Sequence, residues 1–183
     1  MMNPITFSPS IMSSVSGINQ AGIGINLLWQ AICNYVDTNA MVTCMWSGSS
    51  TSVPPVPEVI PTVLAKVVTA AGRDLSPYLV GIDSVSTCAE ALGKLSLAMN
   101  TAILQWKLIL PTELLFITMA PGTVVSPSTI VLTPSMATDS TTAFNLLGSQ
   151  IIAGLSTVMF TPIAGSHSGI FFGAATQTIP GIH

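Results

Sequence analysis

Eleven charged side chains have to serve a chain of 183 residues: four Lys+Arg and seven Asp+Glu. An ordinary soluble domain devotes ~25% of its residues to these types; here the share is 6%. Hydrophobic residues make up 49%, an ordinary fraction, so Ser, Thr, Asn, Gln, Gly and Pro stand where charges usually do. Mean hydropathy is +0.70. Free surfaces normally carry ~25–35% charged residues, which keeps molecules apart. This chain lacks the residues to build such a surface, so cover from other subunits or from lipid is expected.

The same scarcity excludes several classes. Four cations cannot form a nucleic-acid footprint, because each phosphate contact needs a cation or a donor. Intrinsic disorder pairs low hydrophobicity with high net charge, whereas the net charge here is -3. Three cysteines do not make a disulfide scaffold. The start, Met1 to Pro9, has no basic segment and two early prolines, unlike a secretory signal. A membrane-spanning helix needs ~20 mainly apolar residues. Ala21–Val36, Leu95–Ala120 and Phe144–Ala174 come near, but each is interrupted by amides, prolines or charges.

Charge is also unevenly placed. Nine of the 11 charged residues lie between Glu58 and Glu113, leaving two nearly neutral flanks as expected contact surfaces. Hydrophobic spacing predicts helix over Ser10–Val42, with Ile18, Ile25, Leu28, Trp29, Ile32 and Val36 on one face. Asn19, Asn26 and Gln30 fall on the other face. Amides donate and accept without the desolvation cost of ions, so these three are interface candidates, the alternative being a neutral solvated face. A short helix is expected over Pro61–Ala71, with Pro in its first turn. A longer one is expected over Ser84–Leu110, capped by Ser86 or Thr87 with Glu90 at capping-box distance. Thr141–Met159 gives the fourth. Leu114–Met119 and Thr129–Thr133 are β-prone.

Residues 47–61, rich in Ser, Gly and Pro, suggest a linker or an arm laid on a neighbour. Pro54 and Pro55 within it, and Trp46 beside it, are further interface candidates. The Gly-rich residues 160–183 suggest a C-terminal arm or hairpin, offering Phe171 and Phe172. The expected fold is therefore one domain, 1–183, of α-rich α+β class, with about four helices and short strands or a hairpin in the C-terminal half.

No catalytic, cofactor or metal motif emerges. Gly165-Ser166-His167-Ser168-Gly169 has His where a nucleophile elbow has Ser. Cys33, Cys44 and Cys88 lack paired metal-ligand spacing and suggest buried free thiols. Asp37 and Asp139, isolated in neutral surroundings, are expected as caps or hydrogen-bond anchors.

The functional expectation is a non-enzymatic structural subunit of a large assembly, acting through neutral protein–protein interfaces. By composition the setting is a virion: a phage tail, baseplate, neck or capsid, its subunit made in the host cytoplasm. Expected partners are other structural proteins of that assembly and further copies of the chain, with no nucleic acid and no cofactor. The alternative is a membrane-associated or pore-forming protein.

Overall fold

A computed structural model describes residues 21–111, 115–134, 136 and 139–182. Among them are three helices and eight strands, so the protein is β-rich rather than α-rich. The helices are α1 (Ala21–Asn39), α2 (Cys88–Ile103) and α3 (Ser140–Leu155). The strands are β1 (Met41–Ser50), β2 (Pro57–Val68), β3 (Lys107–Ile109), β4 (Phe116–Thr118), β5 (Gly122–Ser126), β6 (Met159–Phe160), β7 (Ile163–His167) and β8 (Phe171–Gln177). They form one sheet in the order β4-β7-β8-β1-β2-β3-β5-β6, with antiparallel neighbours throughout.

The expected helix at Pro61–Ala71 is strand instead. Val63, Ala65, Val67 and Thr69 are buried while Thr62, Leu64 and Lys66 are exposed, a period of two that marks a half-buried strand. Pro61 sits where β2 advances three residues, Ile60 to Val63, against two on β1, Trp46 to Cys44. A bulge leaves one residue unpaired, and so tolerates a residue without an N–H. The supposed linker at 47–61 is the far end of the β1–β2 hairpin, and residues 163–177 make a second hairpin beside it.

The sheet is curled into a half-barrel. Thr161 and Pro162 alone separate β6 from β7, yet β6 pairs with β5 and β7 with β8. This short segment therefore draws the two ends of the strand row together. Glycines permit the curl. Gly48, Gly173 and Gly165 face each other across β1, β8 and β7. A Cβ at any of the three would press on a neighbouring strand's carbonyl: that of Phe172, Ser47 or Ile117 respectively.

The helices pack into the concave side, and one contiguous core results. From α1 come Leu28, Trp29, Ile32 and Val36 of the predicted stripe, joined by Cys33, with Ile25 partly buried against them. Trp29 stacks on Trp106 at 5.7 Å between ring centroids and donates its Nε1–H to the Gly72 carbonyl at 2.6 Å. Gly72 adopts φ +88°, and a Cβ there would press on the Ala102 carbonyl at the end of α2. Thr87 caps α2 by accepting from the Glu90 amide, and the Glu90 carboxylate accepts from the Ser86 amide. Asp139 caps α3. The Thr142 amide and hydroxyl both donate to its carboxylate, which holds that carboxyl below the ordinary range. Asp37 is an anchor: it accepts from the amide and hydroxyl of Thr69 and lies 3.4 Å from Arg73.

Candidate functional site

Register brings distant residues to one end of the sheet. Ser50 on β1 faces Phe171 on β8, which faces His167 on β7, which faces Phe116 on β4. The Thr51 amide donates to the Ile170 carbonyl at 3.3 Å, tying the two hairpin tips together. Four predicted candidates, Pro54, Pro55, Phe171 and Phe172, thus gather at this end although 115 positions separate Pro55 from Ile170. Thr51 to Pro57 are all exposed, with Val53 at 97%. Ile170, Phe172 and Leu115 add exposed apolar surface nearby.

Beneath the tips lies a cluster on the concave face. His167 Nδ1 and Glu58 Oε2 are 2.8 Å apart and about four-fifths buried. The two residues lie three strands apart, ~14 Å across a flat sheet. The glycine row between them carries no side chains, and the curl brings them into contact. Phe116 packs on His167 at 4.8 Å, and Trp46 on Phe116 at 5.2 Å. The Glu58 carboxylate, the one acidic group on these strands, is thus partnered by the His167 imidazole and held beneath the tips.

The other predicted site residues fall elsewhere. Trp46 is fully buried and belongs to the core, not to the surface. Its place beside the Ser/Gly run misleads; the buried alternation Val42, Cys44, Trp46 is the signal that identifies it as core. Asn26 works within the chain: its Nδ2 donates to Asp74 and its Oδ1 accepts from the Leu75 amide, both at 3.0 Å. Gln30 is half-buried on α1. Asn19 lies outside the described residues.

Sequence inspection missed the convex face of the sheet. Met45, Val59, Leu64, Ile117 and Phe172 point outward from four of five consecutive strands, β4, β8, β1 and β2, and are 39–64% exposed. Among the strand residues only Lys66 and Lys107 bring charge to this face. Alternation along each strand was the available signal, once those segments were recognised as strands.

The Gly165–Gly169 string forms the end of β7 and its turn. Successive strand side chains point to opposite faces, so Ser166 turns to the convex side and His167 to the concave one. Among the described residues no group of three His, Cys, Asp or Glu is placed to hold a metal ion. Nor is any described helix long and apolar enough to cross a membrane. No protein-family model, no curated protein and no solved structure matches the chain.

The cysteines differ sharply. Burial pushes the Cys33 thiol up to about 12 and the Cys44 thiol up to about 11. Cys88, the first residue of α2, is exposed. The thiolate is the reactive species. A disulfide reagent at pH 8 is therefore expected to modify one thiol rapidly in the native protein, at Cys88, and all three in denaturant. Mass spectrometry of the labelled peptides checks this, and fast native labelling of Cys33 would contradict the packing described.

Proposed function

We propose that this chain is a non-enzymatic structural subunit of a large protein assembly, a virion component that joins neighbours through uncharged surfaces. The observation that carries the reading is the exposed, nearly charge-free surface formed by the hairpin tips and the convex sheet face. Val53, Val56, Val59, Leu64, Leu115, Ile117, Ile170 and Phe172 are each at least half exposed and lie on these two surfaces, while Val80, Leu97, Met119, Val125, Val131, Met136 and Ile179 are exposed elsewhere. Contiguous exposed apolar patches of several hundred Å² mark contact sites. Five strands at ~4.8 Å spacing and ~20–25 Å length present roughly 500–600 Å² in projection, approaching the ~800 Å² per partner of a stable interface.

The virion setting draws on the composition: small neutral chains with Ser-, Thr-, Gly- and Pro-rich projections suit a shell or tail whose subunits cover one another. The tied tips support it further, because a projection held rigid loses little entropy on contact.

Light scattering in detergent-free buffer over a range of concentrations tests the reading. A mass that rises to discrete oligomers, or a chain recovered only with co-expressed partner proteins, is the expected result. A monomer of 18.9 kDa at every concentration up to the millimolar range would sink it. Aggregation relieved only by lipid vesicles would transfer the exposed surface to a membrane.

A further inference from the structure

Two of the four Lys and Arg side chains are engaged within the fold. Arg73 lies 3.4 Å from Asp37, and the Lys94 ammonium donates to the Gly81 carbonyl at 2.7 Å. Lys66 on β2 and Lys107 on β3 take part in neither ion pair found among the described residues. Register sets these two lysines diagonally on the convex face: Lys66 faces Ile109, and Lys107 faces Val68. Diagonal neighbours on adjacent strands lie ~7–8 Å apart, within reach of long side chains. Beside Lys66 opens a recess of about 550 Å³. Met41, Leu64, Ile109, Leu110 and Pro111 form its apolar wall, and Asp37 and Thr38 near the end of α1 complete its border. Lys66 stands between Met41 on β1 and Ile109 on β3 in one cross-strand row.

We infer that this recess binds a small amphipathic carboxylate, its head at Lys66 and its hydrocarbon body along the apolar wall. The inference goes beyond the assembly reading and stands without it. Ligand sites typically measure ~300–1,000 Å³ and are mostly apolar, with a few polar groups that fix orientation; the recess has that size and that make-up. The sign of the ligand follows from which charges on the border are already answered. Asp37 accepts from the Thr69 amide at 2.9 Å and from the Thr69 hydroxyl at 3.0 Å, with Arg73 beside it, so its carboxylate is satisfied. The Thr38 hydroxyl donates to the Asn34 carbonyl at 2.8 Å. Lys66 is the one uncompensated charge that remains, and Lys107 adds to its field from the next strand. Two like charges on neighbouring strands repel, and an anion at Lys66 relieves that repulsion. A single carboxylate suits the place better than a phosphate, because α1 also ends at the recess and the partial negative charge of its last carbonyls disfavours a dianion.

Titration with octanoate, octan-1-ol and octylamine tests the site, by calorimetry for affinity and by amide NMR shifts for location. The protein is kept at concentrations where sedimentation shows a monomer, so that assembly does not mask the recess. Octanoate is expected to bind saturably and to shift the amides of Met41, Lys66 and Ile109. Octan-1-ol has the same body without the charge and should bind about fivefold more weakly or worse, with octylamine weaker still. Hexanoate and decanoate should bracket octanoate, each buried methylene tightening binding up to about fourfold. Lys66→Met should weaken octanoate about tenfold and leave octan-1-ol unchanged. Lys107→Met should weaken it about two- to threefold, and Lys94→Met, which removes an engaged cation on α2, not at all. Thermal melts establish that the variants fold, and Lys66→Gln replaces Lys66→Met if that variant melts early. No saturable octanoate binding would overturn the site. So would octanoate and octan-1-ol binding equally with no response to Lys66→Met, or shifts at Leu92, Leu146 and Gln150 in place of Met41, Lys66 and Ile109. Anionic phospholipid vesicles that bind through Lys66 while soluble octanoate does not would overturn it too, and would assign these lysines to a membrane surface.

Discussion

Replacing Gln177 by Leu is expected to cost about 3–4 kcal/mol of folding stability, one of the two largest single-residue losses we anticipate. The Gln177 side chain is only 6% exposed. Its Oε1 accepts from the Phe160 amide at 2.9 Å. Its Nε2 shares two hydrogens among the carbonyls of Val158, Ile179 and Gly181, at 2.9–3.1 Å. Phe160 lies on β6, at the end of the strand row, and has no further strand to receive its amide. Gln177 therefore acts in place of a ninth strand, and it also holds the Ile179 and Gly181 carbonyls. Leucine keeps much of the volume but strands one donor and leaves three carbonyls to find other partners; an orphaned buried polar group costs ~1–3 kcal/mol. Urea unfolding measures the loss, against a total stability of ~5–15 kcal/mol for domains of this kind. Amide exchange at Phe160 should accelerate in the variant ahead of exchange in β1 and β2. A loss under ~1 kcal/mol would mean that water replaces the amide, and that Gln177 is not what secures this end.

What was legible in the sequence was local. Thr87 and Glu90 cap α2 as their spacing requires, because a capping box involves only four consecutive positions. The α1 stripe from Leu28 to Val36 is likewise a property of one segment. The sheet was not legible, for a physical reason at each failure. Val63, Leu64, Val67 and Val68 satisfy a helical spacing, whereas the alternation that prevails, Val63, Ala65, Val67 and Thr69, runs through a small and a polar residue, and a proline before them fits a helix start as well as a bulge. Only the partner strand decides between the two: Cys44 and Val42 supply β2 with hydrogen bonds and a buried face. The run at 47–50 lacks bulky side chains because it passes β8 at close quarters, and small residues there resemble a flexible linker. The candidate site combined both situations. Pro54, Pro55, Phe171 and Phe172 could be selected one by one as exposed or interfacial, but their convergence depends on the Ser50–Phe171 register.

Gly173 is expected to be the least replaceable residue of the sheet: Gly173→Ala should destabilise by about 3–5 kcal/mol, at the extreme of point substitutions. A methyl group on Gly173 would collide with the Ser47 carbonyl and the Gly48 backbone. Both obstacles are main chain, held by pairing on either side, so no side-chain rotation relieves the clash. Relief requires β8 to move off β1, and that separates the two hairpin tips and pulls His167 from Glu58. Gly93→Ala is the matching control. Gly93 sits inside α2 with nothing within 4 Å of an added methyl, so that substitution should stabilise by about 0.5–1 kcal/mol. The two changes add the same atom and should move the urea midpoint in opposite directions. If Gly173→Ala were as benign as Gly93→Ala, β1 and β8 would have to separate freely and the glycine row could not be what sets the curl. If it instead unfolds the sheet end first, proteolysis at Val53–Val56 should quicken before the helical core opens. The projecting β1–β2 tip would then depend for its position on three residues, Gly48, Gly165 and Gly173, that have no side chain at all.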